Sequence, residues 1–512
     1  MKKYTFLLLI IALVGGSLVS SCGDDFLTSS SSEKRASGEA VTETILVSFL
    51  TSAYQPLLFD SYAAFNYNSI VLMSDFRSDD VYKGGGSADD QLYLYHLSLY
   101  TSSPTTSLIG LWTIYYSGLA RCNNVLMNVD AAVGVAPEKL EQYRAEALFL
   151  RAYYTHLLWK LFGNIPYFTE HLQEPFVAPQ YSADEIYQFI MEDLAVAGAE
   201  GKMAMRTTGA DLGRASRAAA LMLKARVVLY QKDQSRYDEI TNDMATIIQS
   251  GAYDLLPDFA AMWEDENEFC IESIFESNQL PEGKSWGAAW QGYGTNLPAY
   301  VSPDGLRDPA GVFKGGWGFA PVRPSAYAIY SEPGDTRREG SVNAWPDGSY
   351  NVRFQNTGLF LRKYAAREGY NPPPGDQDLN YANNLRIFRY AETLLNYVEL
   401  VKMHGQSEKQ GVSADQMLTK LRARAFAGTA PALTPTADNI KLERRREFLG
   451  EGMRFWDLIR WGDAERILTE NDPANNSIRT FAEWKKYLPI PQSEIDKAKG
   501  TAYELQQNPN WQ

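Results

Sequence analysis

Residues 137–168 read PEKLEQYRAEALFLRAYYTHLLWKLFGNIPYF, and no other stretch restricts the possible folds as much. Leu140, Tyr143, Ala147, Leu150, Tyr154, Leu157 and Leu161 recur at spacings of three and four, the period of one helix face. Pro137 suits a first helical turn, Gly163 a helix stop, and Pro166 bars continuation. The spacing predicts a helix over 138–162. The same texture predicts helices over 215–230 (RASRAAALMLKARVVLY) and 237–249, and a further pair over 385–404 and 414–425. Small residues stand one turn from large ones: Ala145 and Phe149, Ala218 and Met222, Ala391 and Leu395. Small side chains let neighbouring helices approach, and large ones fill the groove between them, as in tetratricopeptide repeats. No strict period of about 34 residues is visible. The expected fold is therefore mainly α, a tetratricopeptide-like helix-pair scaffold, with a plain helical bundle as the alternative.

Texture divides the chain. Residues 39–256 and 381–470 read as helical scaffold, and 257–380 as a lobe rich in loops, Gly, Pro and Trp, all within one unit spanning 39–512. Ahead of these, Lys2 and Lys3 precede an apolar run from Phe6 to Val19. That is a signal-peptide pattern, shorter than the roughly 20 residues of a spanning helix. Val19-Ser20-Ser21-Cys22 resembles a lipobox. The expectation is a signal peptide over 1–21, lipidation of the Cys22 thiol, and a flexible polar tether over 22–38. Multiple acyl chains give stable anchoring, so the membrane is touched only through lipid, at the outer surface. The Asp24-Asp25 pair resembles the surface-export signal of Bacteroidetes lipoproteins. A net charge of -14 disfavours nucleic acid as a partner. Beyond Cys22, only Cys122 and Cys270 remain, too few for a disulfide framework. Cys122 falls in a helical pattern and reads as a small buried side chain.

The block LERRREFLGEGMRFWDLIRWG, 442–462, resembles the signature of the SusD/RagB family, with Arg445, Glu447, Glu451, Gly452, Arg454, Phe455, Asp457, Leu458 and Arg460 at the expected places. The blocks RAEALFLRAYYTHLLWKLFGNIPY, GRASRAAALMLKARVVLY, NLRIFRYAETLLNYVEL, LPIPQSEID and LQQNPNW resemble the family's other segments, in order, over nearly the whole chain. The resemblance implies a helical repeat scaffold carrying an irregular lobe. It also implies a cell-surface, non-enzymatic glycan-binding protein that sits over a SusC-like, TonB-dependent outer-membrane transporter and delivers oligosaccharide to it. The signature block itself reads as a single ion-pair-rich helix, partly buried and structural rather than ligand-binding, with a transporter contact as the other reading.

The residues show little catalytic chemistry. His96, His156, His171 and His404 stand in no His-Glu-x-x-His frame, and no Gly-x-Ser-x-Gly elbow occurs. No zinc site or cofactor is expected. Sugar rings expose C–H faces that stack on Trp and Tyr, while their hydroxyls bond to Asp, Asn, Arg and Gln. Trp263, Trp286, Trp290, Trp317 and Trp345 all lie in the loop-rich lobe. Trp286, Trp290 and Tyr293 share the segment SWGAAWQGYG, and Trp317 lies in KGGWGFAP. Glycines beside aromatic rings leave a platform uncrowded, and these four residues are the candidate ligand-binding set; core packing of the lobe is the competing role. Asp75, Asp79, Asp80 and Tyr82, ahead of the Gly84-Gly85-Gly86 turn, form a second candidate patch. The family's corresponding loop contributes to its ligand site. That acidic run also fits calcium, although its spacing is not that of an EF-hand. A helical-repeat scaffold lipoprotein binding a peptide or protein is the rival function, and a surface glycosidase is a third. The Trp-rich, Gly-rich insertion favours the glycan.

Overall fold

A computed structural model of the chain describes residues 40–59, 62–63, 66–286 and 294–511. The principal helices are α1 (Glu43–Tyr54), α2 (Ile70–Phe76), α3 (Ile109–Val129), α4 (Pro137–Phe162), α5 (Ala183–Ala197), α6 (Arg217–Gln231) and α7 (Tyr237–Gln249). After the loop-rich region come α8 (Tyr390–Lys402), α9 (Ala414–Ala425), α10 (Ala437–Phe448) and α11 (Arg454–Trp461). From α3 to α9 each helix packs on the next, and α1 lies against α3. Nearest-neighbour stacking of this kind is repeat-protein architecture, as the small-and-large rhythm predicts. Among the described residues no helix is long and apolar enough to cross a membrane.

The close approach has identifiable causes. Gly118 on α3 lies flat against the Tyr154 ring of α4, where any Cβ would collide with the ring. The Tyr154 hydroxyl donates to Ala53 O of α1 at 2.7 Å. Buried Glu146 accepts from Tyr54 Oη at 2.6 Å and from Arg214 Nη2 at 2.7 Å, joining α1, α4 and the segment entering α6. Gly163 closes α4 with φ +70°. Cys122 is fully buried and Cys270 partly so; both are free thiols.

Two expected helices are corrected. The helix expected over 385–404 begins only at Tyr390. Leu385–Arg389 is instead a strand, β2, antiparallel to β1 (Ser273–Ser277), with Ser277 opposite Leu385 and Ser273 opposite Arg389. All five β2 residues are buried, and a short run covered on both faces carries no helix-strand contrast in its hydrophobic pattern. The β1–β2 pair ties the start of the loop-rich region to its end. The signature block is two helices, α10 and α11, separated by Gly450 (φ +81°) and Gly452 (φ +72°). At Gly452 a Cβ would lie 2.8 Å from Val71 Cα of α2. At Gly201, with a similar φ of +78°, a Cβ would meet nothing within 4 Å. Gly201→Ala should therefore cost only the left-handed backbone strain, about 1–2 kcal/mol. Gly452→Ala must also displace α2, and its melting temperature should fall clearly further. Equal losses in thermal melting would refute the close-approach argument.

The charges of the signature block are buried rather than solvated. Glu447 accepts from Arg389 Nη1 at 2.7 Å and from Arg424, with Arg337 Nη1 at 3.4 Å. Glu443 pairs with Arg337, Arg422 and Arg446, and Glu451 with Arg389 and Lys363. This network joins α9, α10, β2 and residues 335–337 into one body, the structural role expected of the block.

Candidate functional site

The exposed aromatic surface of the loop-rich region is built around Trp286 and Trp317. Trp286 is 43 % exposed, Trp317 and Tyr67 are half-buried, and Tyr300 is fully buried beneath them. The two indole centroids are 5.9 Å apart, with planes inclined by 31°. Tyr67 meets Trp286 edge-on at 6.3 Å and Trp317 at 5.5 Å. Tyr300 supports Trp317 at 5.0 Å and Tyr67 at 4.7 Å. Burial pushes the Tyr300 hydroxyl well above the ordinary tyrosine range, so the floor of the cluster stays neutral.

One turn holds both tryptophan residues. The Trp286 backbone N–H donates to Asp376 Oδ2 at 2.9 Å, and Trp317 Nε1 donates to Asp378 Oδ2 at 2.9 Å. Both carboxylates are half-buried beside the rings and retain acceptor capacity for hydroxyl groups. The glycines around Trp317 have a reason beyond openness. Trp317 N donates to Ala299 O at 2.6 Å and Gly318 N to Ser302 O at 2.8 Å, so residues 316–318 lie directly on the backbone of residues 299–302. A Cβ on Gly316 would collide with the Ala299 carbonyl, and Gly318 has φ +70°.

Of the expected platform residues, the structure brings Trp286 and Trp317 together; Trp290 and Tyr293 lie outside the described residues. Trp263 is a core residue, 1 % exposed and edge-on to Tyr364 at 5.2 Å. Trp345 packs edge-on to Phe313 at 6.0 Å, apart from the cluster.

The second patch is placed differently from the expectation. Asp75 and Asp80 are fully buried, and Asp79 is nearly so. Asp79 pairs with Arg454 at 2.7 Å and Arg445 at 2.9 Å, and Asp80 with Arg445 at 2.7 Å. Asp75 Oδ1 accepts from Gly452 N at 3.1 Å. Burial first, and then the Asp80 charge, raise the Asp75 carboxyl well above the ordinary carboxylate range. The Tyr82 hydroxyl donates to Asp472 Oδ2 at 2.8 Å, with the Arg323 guanidinium 4.0 Å over its ring. These four side chains serve internal contacts. The same loop still reaches the platform through its glycines: Gly85 N donates to Gly318 O at 2.9 Å, and Gly84 bridges Phe319. Among the described residues no cluster of three or more His, Cys, Asp or Glu side chains is arranged to hold a metal ion. The residues missed by sequence reasoning are Tyr67, Asp376 and Asp378. Aromatic spacing in FNYNS and acids in the turn PPPGDQDLN were the available signals.

Comparison with known proteins places this geometry in context. Residues 325–511 match the SusD family profile, and residues 25–229 match a profile described as starch-binding associating with outer membrane. The fold is similar to that of surface glycan-binding protein A from Bacteroides fluxus, at 66 % identity and TM-score 0.89, covering 92 % of this chain and all of that one. It is similar to surface glycan-binding protein A from Bacteroides thetaiotaomicron solved in complex with laminarihexaose, at 38 % identity and TM-score 0.84, covering 91 % and 100 %. A laminarin-binding SusD-like protein shares 28 % identity at TM-score 0.80, covering 92 % and 100 %.

Proposed function

The chain belongs to the SusD family, and from that premise we propose that it is a cell-surface glycan-binding protein whose ligand is a glucan of the laminarin class, bound without cleavage on the Trp286–Trp317 platform. The observation that carries this reading is the pair of indoles, with Asp376 holding the Trp286 backbone, Asp378 holding the Trp317 indole N–H, and Trp286 presented to solvent. Indole faces stack on the C–H faces of glucose rings, and the neighbouring carboxylates accept from ring hydroxyls. Support for laminarin over other glycans comes from the relatives: one is solved with laminarihexaose and another is a laminarin-binding SusD-like protein.

Titration calorimetry with laminarihexaose and with maltohexaose tests the ligand. Binding to the first and not the second is expected; preference for the α-linked oligosaccharide refutes the laminarin reading. Chromatography of the same laminarihexaose after prolonged incubation should recover it intact. Release of shorter products that scales with protein and survives repurification would show an enzyme instead.

In this reading the protein is lipid-anchored at Cys22 in the outer membrane and hands its ligand to a SusC-like, TonB-dependent transporter. Cys22 lies outside the described residues, and the proposal rests on the lipobox resemblance and on the family. Labelled palmitate should enter the wild-type protein and be absent from Cys22→Ala, which should fractionate away from membranes or stay unprocessed. Equal labelling of the two refutes the anchor.

A further inference from the structure

Beside the aromatic platform stands a polar group that the indoles and their two aspartates leave out. Arg353 adjoins Gly318, the residue after Trp317: a Cβ on Gly318 would lie 3.2 Å from Arg353 Cγ. The backbone of this segment is pinned on both sides, since Asn351 N donates to Asp304 O at 2.8 Å and Phe354 N to Gly85 O at 3.0 Å. Two carboxylates flank the guanidinium, Asp304 Oδ2 at 3.4 Å from Nη1 and Asp90 Oδ2 at 3.9 Å from Nη2. Both separations exceed the roughly 2.7–3.2 Å of a hydrogen bond. Each Oδ2 has a nearer donor instead, Asn351 Nδ2 at 3.0 Å for Asp304 and Gly86 N at 2.7 Å for Asp90. Among the described residues the guanidinium donates no hydrogen bond, and its Nε is shielded from solvent as well. The three side chains are otherwise open to solvent, Arg353 at 34 %, Asp90 at 31 % and Asp304 at 29 % exposure.

The group is tied to the platform by more than Gly318. The Tyr93 hydroxyl, three residues beyond Asp90, accepts from Tyr67 N at 3.1 Å. Burial first, then Tyr93 and Tyr67, and then the Asp90 charge raise the Tyr300 hydroxyl, so Asp90 lies within electrostatic reach of the platform floor. A planar fork of unused N–H donors between two carboxylates matches sugar hydroxyls, each of which both donates and accepts. It does not match a sulfate or a uronate. Asp90, Asp304, Asp376 and Asp378 outnumber the single cation around the platform, and an anionic sugar would meet their repulsion.

We propose that Arg353 is a ligand-binding residue of the glycan site: its guanidinium donates to hydroxyls of the sugar unit next to the one stacked on Trp317, Asp90 and Asp304 accept from the same unit, and the ligand is an uncharged chain. This rests on the platform being the glycan site. The stacked rings supply affinity that any sugar face can draw on, whereas the fork reads where the hydroxyls stand.

Calorimetry with laminarihexaose, maltohexaose and cellohexaose tests this on the full-length mature protein, with Trp286→Ala as the reference for the platform. Arg353→Met keeps a stem to cover Gly318 and removes every N–H. It should weaken binding of whichever hexaose the wild type takes by about ten-fold or more, at an unchanged melting temperature without ligand. Arg353→Lys keeps the charge without the fork and should fall between the two. Full affinity in Arg353→Met, where Trp286→Ala has lost it, overturns the role of Arg353 and leaves the platform standing. A wild type that binds none of the three overturns the glycan reading and this proposal together. Should Arg353→Met fail to fold, a crystal structure of the wild type with the bound hexaose decides: a sugar hydroxyl within hydrogen-bonding distance of the guanidinium supports the assignment, and a chain that lies on the indoles without reaching Arg353 refutes it.

Discussion

Trp286→Ala is expected to weaken laminarihexaose binding by about five-fold to over a hundred-fold, the equivalent of roughly 1–3 kcal/mol of lost stacking and buried apolar area. The melting temperature without ligand should hardly move, because a side chain 43 % exposed leaves no closed core cavity when removed. Trp317→Ala should lose affinity to a similar degree but melt earlier as well. Its ring fills the space against Tyr300 and Tyr67, and its Nε1 satisfies Asp378. Calorimetry with ligand and thermal melting without it separate the two behaviours. Full affinity in both variants would remove the platform from this pair of indoles and leave the Trp290–Tyr293 segment as the alternative.

The scaffold is legible in the sequence because its information is local. Helix α4 can be read from its period, Pro137 and Gly163, all within one segment. The strand β2 is illegible for the opposite reason: LRIFR becomes a strand because β1, far away in sequence, pairs with it. The site divides in the same way. Glycines flanking Trp286 and Trp317 mark those residues as candidates. Nothing local assigns Tyr67 to the same cluster, since only the fold carries it to the indoles. The aspartates show the converse. Asp75, Asp79 and Asp80 read as a candidate ligand patch when taken alone. Their arginines lie far off in the signature block, Arg445 being 365 residues beyond Asp80 and Arg454 375 beyond Asp79, and these turn the run into an internal one.

Glu447→Ala is expected to be the most destabilising single change in the scaffold. Its carboxylate sits among Arg389, Arg424 and Arg337 with no exposed surface. Removing it leaves buried guanidinium groups without their shared counter-charge, and breaking a buried pair from one side costs about 3–5 kcal/mol. Glu447→Gln keeps the volume and part of the hydrogen bonding, so it should fall between wild type and alanine. The same network sets the acid limit of the fold. Burial alone would raise Glu447, but the charges of Arg424, Arg389 and Arg337 outweigh it and hold the carboxyl far below the usual range. Glu399 is depressed in the same way: burial opposes, and Arg460 overcomes it. Groups depressed on folding contribute stability that is complete above the unfolded carboxylate value, about 4.3, and that drains away as pH falls towards the folded values. The contribution of these two carboxylates should therefore be constant near neutrality and be lost progressively below about pH 4.5. Glu447→Gln should start lower and decline less steeply, since it no longer has that proton to take up. Parallel acid-denaturation curves for the two proteins would show that Glu447 is not held ionised by its arginines.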